Sequence, residues 1–185
     1  MQLASQALKK GKQVVVLVPE IALTGQIVRR FLRRFGDDVV VMHSQLSQGE
    51  KRNNWLRMQN GTSHICIGAR SAVFAAAQSI GLFIVDEAHD SSYKQDEAPR
   101  YHAVAVARQR AAYYGCPVVL GSATPALADY YRALQGEYVL VELKERVGHR
   151  PLPAVQVVDM RDELARGNYR VVSDALLTLL EETLA

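Results

Sequence analysis

The chain has 185 residues, 49% of them hydrophobic, and its formal net charge is +3. This length and composition suffice for one hydrophobic core plus an appendage. No segment approaches the ~20 apolar residues of a membrane span, and the first residues lack the apolar stretch of a signal peptide. The two cysteines, Cys66 and Cys116, lie in or beside predicted strands. We therefore expect both cysteines to be small buried side chains, without a disulfide framework or a metal site. The composition agrees with a cytosolic globular domain.

Positive charge is concentrated in residues 1–36, which hold seven Lys or Arg residues and one carboxylate, Glu20. Within this segment, apolar residues recur at four-residue spacing over residues 23–35, which predicts an amphipathic helix. The arginines that flank its apolar face are Arg29, Arg30, Arg33 and Arg34. They could bind DNA phosphates with a steep salt dependence, or they could form an ordinary solvated helix face.

Short apolar patterns typical of strands alternate with helical patterns along the chain. Strands are predicted near residues 13–18, 38–42, 63–67, 81–86, 117–121, 137–143 and 155–158. Helices are predicted near residues 23–35, 48–60, 102–114 and 125–135, with a final one from about Ser173. Ser47 and Glu50 form a capping box for the second helix, and Gly11, Gly61 and Gly115 are expected helix stops. The alternation predicts an α/β fold with a parallel sheet covered by helices on both faces.

Residues 81–89 are the most informative segment, because an apolar strand pattern delivers Asp86, Glu87 and His89 to one point. Polar residues after a buried parallel strand emerge at the carboxyl edge of the sheet, where such folds bind ligands. Asp86 could hold Mg²⁺ on a nucleoside triphosphate, and Glu87 could orient or deprotonate the attacking water. The alternative is an acidic helix start with Asp86 as the N-cap.

A second edge loop follows the apolar residues 118–120 and contains Ser122, Ala123 and Thr124. Ser122 and Thr124 could hydrogen-bond to the acidic loop or to His89 and relay the state of the nucleotide. Alternatively, Thr124 caps a helix whose first residue is Pro125. Both interpretations can hold at once.

Aromatic and basic residues are interleaved in the loop of residues 90–102, a mixture that stacks on bases while binding phosphates. The residues we select for that role are Tyr93, Lys94, Arg100 and Tyr101. The alternative is a loop with incidental tyrosines. We assign Trp55, Tyr113 and Tyr114 to packing. We also assign His43 and His64 to structural roles, since neither has metal-ligand spacing nearby.

Together, the Asp86-Glu87-Ala88-His89 and Ser122-Ala123-Thr124 motifs resemble motifs II and III of superfamily 2 helicases. Further stretches are similar to the PriA family of primosomal replication-restart helicases: LVPEIALT from residue 17, HSQLS from 43, GARSAVF from 68 and DSSYKQ from 90. The resemblance covers residues 3–163. It implies a RecA-like P-loop NTPase lobe of an ATP-dependent 3′→5′ DNA helicase. Such an enzyme recognises and remodels stalled replication forks and starts primosome assembly.

The resemblance also implies particular site residues, cofactors and partners. DNA-binding residues on the backbone-tracking elements would be Pro19, Glu20, Thr24, Gly68, Arg70 and Ser71. ATP and Mg²⁺ are the expected cofactors, with Asp86 holding the metal through the nucleotide; zinc is expected only in a part of the family's proteins outside this chain. Expected partners are DNA forks, single-stranded DNA, primosome proteins and single-strand-binding proteins, in the bacterial cytoplasm near the nucleoid, without membrane association.

The phosphate-binding pattern G-x-x-x-x-G-K-[ST] of such motors is absent from the sequence. We therefore expect a fold that is incomplete at both ends. Residues 1–143 would form the first motor lobe without its phosphate loop, 144–153 a linker, and 154–185 the beginning of the second lobe. Weak nucleotide binding and no hydrolysis are expected from the isolated chain. Two alternatives are a truncated lobe acting as a DNA or protein binding module, and another superfamily 2 translocase.

Overall fold

The computed structural model describes residues 1–20, 23, 25–143 and 154–184. Thr24, predicted to contact DNA, and the predicted linker 144–153 lie outside the described residues. The chain divides into two compact units, Met1–Leu140 and Val141–Ala185. Each unit is treated by itself below.

A parallel sheet forms the centre of the first unit. Its strands are β1 (Gln13–Leu17), β2 (Val39–Met42), β3 (Ile65–Gly68), β4 (Ile80–Val85) and β7 (Val118–Leu120), in the spatial order β2-β3-β1-β4-β7. The helices of this unit are α1 (Gln2–Lys9), α2 (Gln26–Phe35), α3 (Gln48–Gln59), α4 (Ala103–Tyr114) and α5 (Leu127–Leu134). A separate antiparallel pair joins β5 (Lys94–Gln95) to β6 (Tyr101–His102). The predicted α/β class with a parallel sheet is confirmed.

Alternate residues of the central strand β1 pack on opposite faces of the sheet, which explains its continuous apolar sequence. Val15 and Leu17 belong to a core cluster that also contains Met58 of α3 and Ala107 of α4. The cluster on the other face holds the remaining valines of β1 together with residues of α1 and α2 such as Phe31. Helices therefore cover both faces, as predicted, and burial of these apolar side chains supplies the main stabilisation.

The helix ends follow local sequence signals. The Ser47 side chain accepts a hydrogen bond from the Glu50 backbone N–H at 3.2 Å, while the Glu50 carboxylate accepts one from the Ser47 N–H at 2.8 Å, so the predicted capping box is present. Gly11, Gly61 and Gly115 follow the ends of α1, α3 and α4 with positive φ values. Glycine adopts this conformation without the Cβ clash of other residues, which ends these helices where the sequence predicts.

Several predicted bounds are wrong. The helix predicted over residues 23–35 begins only at Gln26, and no strand forms at residues 137–143 or 155–158. Val139, Val141 and Val157 are exposed, at 92%, 73% and 90%. A β-type pattern forms a strand only where a neighbouring strand supplies its hydrogen bonds, and the described residues offer none here.

The second unit contains α6 (Met160–Ala165) and α7 (Asp174–Leu184), which begins near the predicted Ser173. The buried Glu163 carboxylate accepts hydrogen bonds from Asn168 Nδ2 at 2.9 Å and from the Asp174 N–H at 2.7 Å. These contacts connect the two helices through one polar side chain. None of the described helices in either unit is long and apolar enough to cross a membrane.

Candidate nucleotide and nucleic-acid site

The loops after β4 and β7 lie side by side at the carboxyl edge of the sheet. The two strands pair in parallel with Val85 opposite Leu120. Gly121 N–H then donates to the Val85 carbonyl at 2.8 Å, and Ala88 N–H donates to the Gly121 carbonyl at 2.9 Å. The hydrogen bonding thus continues past the strands and joins the two sequence motifs into one site.

The acidic motif forms a turn, not a helix, so the alternative in which Asp86 caps a helix is wrong. Asp86 N–H donates to the Leu17 carbonyl at 2.9 Å, which holds the half-buried Asp86 at the end of the central strand. Glu87 has a φ of +46°, the only positive φ of a non-glycine among the described residues. Such backbone strain is found mainly at functional sites, where the surrounding structure enforces it.

His89 connects this turn to the loop after β7. Its Nδ1 lies 2.7 Å from Ser122 Oγ, and the Glu87 carboxylate lies 3.6 Å from the same nitrogen. Ser122 Oγ also accepts a hydrogen bond from the Thr124 N–H at 3.1 Å. The prediction that Ser122 bonds to His89 is confirmed, and Ala123 lies exposed between the two hydroxyl residues. The helix-cap role of Thr124 is wrong, because α5 begins at Leu127 with Ala126 as its N-cap.

Tyr93 holds the main chain of the acidic turn from the protein interior. Its side chain is fully buried, and its hydroxyl donates a hydrogen bond to the Asp86 carbonyl at 2.6 Å. Burial, and then the negative charges of Asp86, Asp90 and Glu87, raise the pKa of Tyr93, so the hydroxyl stays protonated and remains a donor. The predicted stacking of Tyr93 on DNA bases is contradicted, since no face of the ring is accessible.

Arg70 connects the loop of residues 68–71 to the loop of residues 90–102. One guanidinium nitrogen donates to the Ser92 carbonyl at 3.1 Å and also to the Lys94 carbonyl. The half-buried Arg70 therefore fixes the backbone on both sides of Tyr93. Its contact with DNA stays a prediction. The guanidinium has five N–H donors, so those on its other nitrogens could donate to a DNA phosphate.

The rest of the predicted DNA-binding loop is a folded hairpin. Lys94 Nζ lies 3.1 Å from the Asp96 carboxylate, and Arg100 Nε donates to the Asp96 carbonyl at 2.9 Å. The ring of Tyr101 packs edge-on against Phe74 with centroids 5.0 Å apart. Lys94 and Arg100 are exposed and Tyr101 is half-buried, so all three reach the surface.

The backbone-tracking elements predicted from the resemblance lie at the same edge of the sheet. Pro19 is buried directly after β1, and the exposed Glu20 accepts a hydrogen bond from Ser44 Oγ at 2.5 Å. Gly68 ends β3 in close contact with the Met42 backbone, because an added Cβ would lie 2.4 Å from that carbonyl oxygen. Ser71 follows on the surface.

The acidic turn fits a magnesium ion that a nucleotide brings with it. Within the part of the chain that the structure describes, no cluster of three His, Cys, Asp or Glu side chains could hold a metal by itself. Mg²⁺ at nucleotide sites keeps several waters and takes only one or two carboxylates together with phosphate oxygens. The half-buried Asp86 at the strand end matches that donor set.

A parallel sheet whose polar loops pair at its carboxyl edge is the arrangement in which open α/β folds bind ligands, and the family match that follows assigns this sheet to the RecA-like class. The model of the DEAD/DEAH box helicase family matches residues 1–133. Proteins named replication restart protein PriA are similar over nearly the whole chain. That of Bacillus subtilis is 53% identical over 100% of this chain and 23% of the relative. That of Synechocystis is 49% identical over 98% and 22%, and that of Treponema pallidum 44% identical over 92% and 26%.

The chain therefore belongs to the DEAD/DEAH box helicase family, within its PriA group. It spans about a quarter of the length of these curated relatives.

Proposed function

We propose that this chain is the first motor lobe of an ATP-dependent 3′→5′ DNA helicase that recognises and remodels stalled replication forks and starts primosome assembly. The observation that carries the proposal is the 2.7 Å contact between His89 and Ser122, which joins the acidic turn to the neighbouring edge loop. A merely structural acidic turn has no need of this connection. A motor needs it, because the state of the nucleotide must reach the surface that holds DNA.

The chemistry divides among the side chains of the acidic turn. Mg²⁺-ATP, when bound, supplies the phosphoryl group and the cation of the reaction. Asp86 would hold the cation at the end of β4, and Glu87 would orient or deprotonate the attacking water. His89, held between Glu87 and Ser122, would carry changes at the nucleotide to the loop after β7.

The DNA side of the proposal rests on the contacts around Tyr93. Arg70 fixes the carbonyls of Ser92 and Lys94, and Tyr93 between them donates to the main chain of Asp86. A DNA strand that displaces Arg70 or the β5–β6 hairpin would therefore move the main chain of Asp86, one of the two proposed catalytic acids. The residues proposed to contact the strand are Pro19, Glu20, Thr24, Gly68, Arg70, Ser71, Lys94, Arg100 and Tyr101.

Because the 185 residues contain no G-x-x-x-x-G-K-[ST] pattern, we propose that this chain by itself binds nucleotide weakly and does not hydrolyse it. Its proposed partners are forked and single-stranded DNA, primosome proteins and single-strand-binding protein, in the bacterial cytoplasm near the nucleoid. The names of the relatives and the site described above support this assignment.

Unwinding by a chimera tests the proposal. In it, this chain replaces the matching segment of the Bacillus subtilis relative, which is 53% identical over the whole segment. The proposal predicts ATP-dependent unwinding of a duplex that carries a 3′ single-stranded tail, and none of one that carries only a 5′ tail. A folded, DNA-binding chimera that unwinds neither duplex, or only the 5′-tailed one, would contradict it.

The second candidate is a DNA or protein binding module without catalysis, for which the exposed Arg29, Arg30, Arg33 and Arg34 of α2 would supply the binding surface. It keeps the fold and the basic residues but makes Asp86 and Glu87 dispensable. Complementation of restart-deficient cells separates the two candidates. When the gene that encodes this chain carries Glu87→Gln, the motor hypothesis predicts that complementation is lost. The binding-module hypothesis predicts that complementation is retained.

A further inference from the structure

A groove of about 290 Å³ opens on the surface beside the proposed DNA path. Met42 and His43 line it from the end of β2, Lys51, Arg52 and Trp55 from α3, and Ser71 from the loop after β3. Its volume lies at the lower limit of small-molecule sites, which suits a ligand the size of one nucleotide.

One face of α3 presents a cationic and aromatic surface to this groove. Lys51 and Arg52 precede Trp55 by four and three residues, so the side chain of each is a neighbour of the indole on the helix surface. The prediction that Trp55 serves packing is wrong, because 43% of its surface is exposed. The capping box at Ser47 sets the start of α3, and Asn54 Nδ2 donates to the Val41 carbonyl at 2.9 Å, which fixes the helix against β2.

The charge of the groove favours an anionic ligand. Lys51 Nζ donates to the Ser44 carbonyl at 3.0 Å, which holds the ammonium group in place without neutralising it. No carboxylate belongs to the described residues that line the groove. The nearby Glu50 carboxylate instead accepts the hydrogen bonds of Ser47 in the helix cap, which lower its pKa. Positive charge therefore stands beside the indole without compensation from the lining.

We infer that this groove binds one unpaired base of single-stranded DNA, stacked on Trp55, with the adjoining phosphates at Lys51 and Arg52. The inference rests on the proposed function, because Ser71 makes the groove continuous with the loop proposed to follow the DNA backbone. Backbone tracking alone needs no base contact, whereas a stacked base holds the strand independently of its sequence.

Fluorescence of Trp55 reports on the groove directly, because Trp55 is the single tryptophan of the chain. The chain is titrated at low salt with an oligothymidylate of about ten nucleotides. A second titration uses an abasic oligonucleotide of the same length, which keeps the phosphates but has no bases. Quenching by the oligothymidylate and little change with the abasic strand are expected.

Variants test the same site by fluorescence anisotropy of a labelled oligothymidylate. Trp55→Leu is expected to weaken binding roughly 5- to 150-fold, the range measured for loss of one base stack. Trp55→Phe, which keeps an aromatic face, is expected to retain most of the affinity. Circular dichroism confirms that each variant folds, which the exposure of Trp55 favours.

A pair of charge variants provides the matched control. Lys51→Ala with Arg52→Ala is expected to lower the slope of log affinity against log salt by up to about 1.4, as for two released counterions. Lys9→Ala with Lys10→Ala removes two exposed charges at the amino edge of the sheet, away from the groove, and is expected to leave the slope unchanged.

Three results would overturn the inference, and they differ in what else they affect. Binding by anisotropy without quenching, together with an unchanged affinity of Trp55→Leu, would exclude the groove and leave the proposed function intact. No binding of the oligonucleotide at all would count against both. Quenching by an oligoglutamate peptide but not by DNA would assign the groove to an acidic protein partner.

Discussion

Tyr93 is the buried residue that holds the main chain of the acidic turn. Its hydroxyl is the donor to the Asp86 carbonyl, and its ring is fully buried. Tyr93→Phe should lower the free energy of unfolding by about 1 kcal/mol, because this hydrogen bond is lost at a buried site. Urea denaturation measures the effect. Tyr113→Phe, at a side chain that is 85% exposed, is the control and should leave stability unchanged; equal stability of both variants would contradict the role of Tyr93.

The two cysteines should differ in reactivity. Burial raises the pKa of Cys66 to about 12, and burial also raises the pKa of the half-buried Cys116. At about pH 8, a thiol reagent should modify Cys116 slowly and Cys66 only after unfolding, because the thiolate is the reactive form. Mass spectrometry with and without denaturant identifies the modified thiol. Labelling of Cys66 in the native chain as fast as that of Cys116 would show that the sheet is open.

Alkaline pH should weaken the fold through Cys66. Its folded-state pKa lies above the ordinary value of about 8.5, so its contribution is complete below that pH and is lost as pH rises towards about 12. The free energy of unfolding should therefore fall less between about pH 8 and 10 in Cys66→Ala than in the wild type. Identical pH dependence of the two proteins would argue against a buried thiol at this position.

At the scale of elements, the end of β3 requires glycine. A Cβ at Gly68 would lie 2.4 Å from the Met42 carbonyl oxygen and 2.5 Å from Ala72 Cβ. Gly68→Ala should therefore cost about 1–3 kcal/mol as the strand and loop shift apart. Gly49→Ala in α3 meets no atom within 4 Å and should be neutral or stabilise by up to about 1 kcal/mol. Thermal unfolding compares them, and a tolerated Gly68→Ala would contradict the packing described.

The capping box of α3 supports the groove as well as the helix. Ser47→Ala should cost about 1 kcal/mol at neutral pH. Hydrogen bonds from Ser47 lower the pKa of Glu50, so this stabilisation is present above the ordinary carboxyl pKa and is lost as pH falls through the lowered value. The difference between the variant and the wild type should therefore become smaller in acid, while the part due to the Glu50 N–H bond to Ser47 Oγ remains. Ser91→Ala at another exposed serine is the control, and a pH-independent difference for Ser47→Ala would exclude the ionised cap.

Sequence patterns predict most of the architecture of the first unit because its strands are buried on both faces. An apolar run such as residues 82–85 has few other solutions, and polar residues placed directly after it must emerge at the sheet edge. The contact of His89 with Ser122 was predictable for this reason. Strands at residues 137–143 and 155–158 were not excluded by their sequence, since only the missing partner strand prevents them.

Whole-molecule packing decides what residue patterns leave open. Tyr93 and Trp55 are both aromatic residues beside charged ones, but Tyr93 is buried under the acidic turn and Trp55 is exposed in a cationic groove. Burial therefore contradicts the stacking predicted for Tyr93, and exposure contradicts the packing predicted for Trp55. One signal was available for Trp55, because Lys51 and Arg52 precede it at helical spacing and share its face.

Hydrolysis of ATP by the chimera with the Bacillus subtilis relative tests the central claim that Asp86 and Glu87 are the acids of a motor. Glu87→Gln should lower DNA-stimulated turnover by at least about 100-fold, the usual contribution of a general base. DNA binding should be retained, and Glu181→Gln, an exposed carboxylate on α7, should change neither property. Turnover by the folded Glu87→Gln chimera at the rate of its parent would contradict the account.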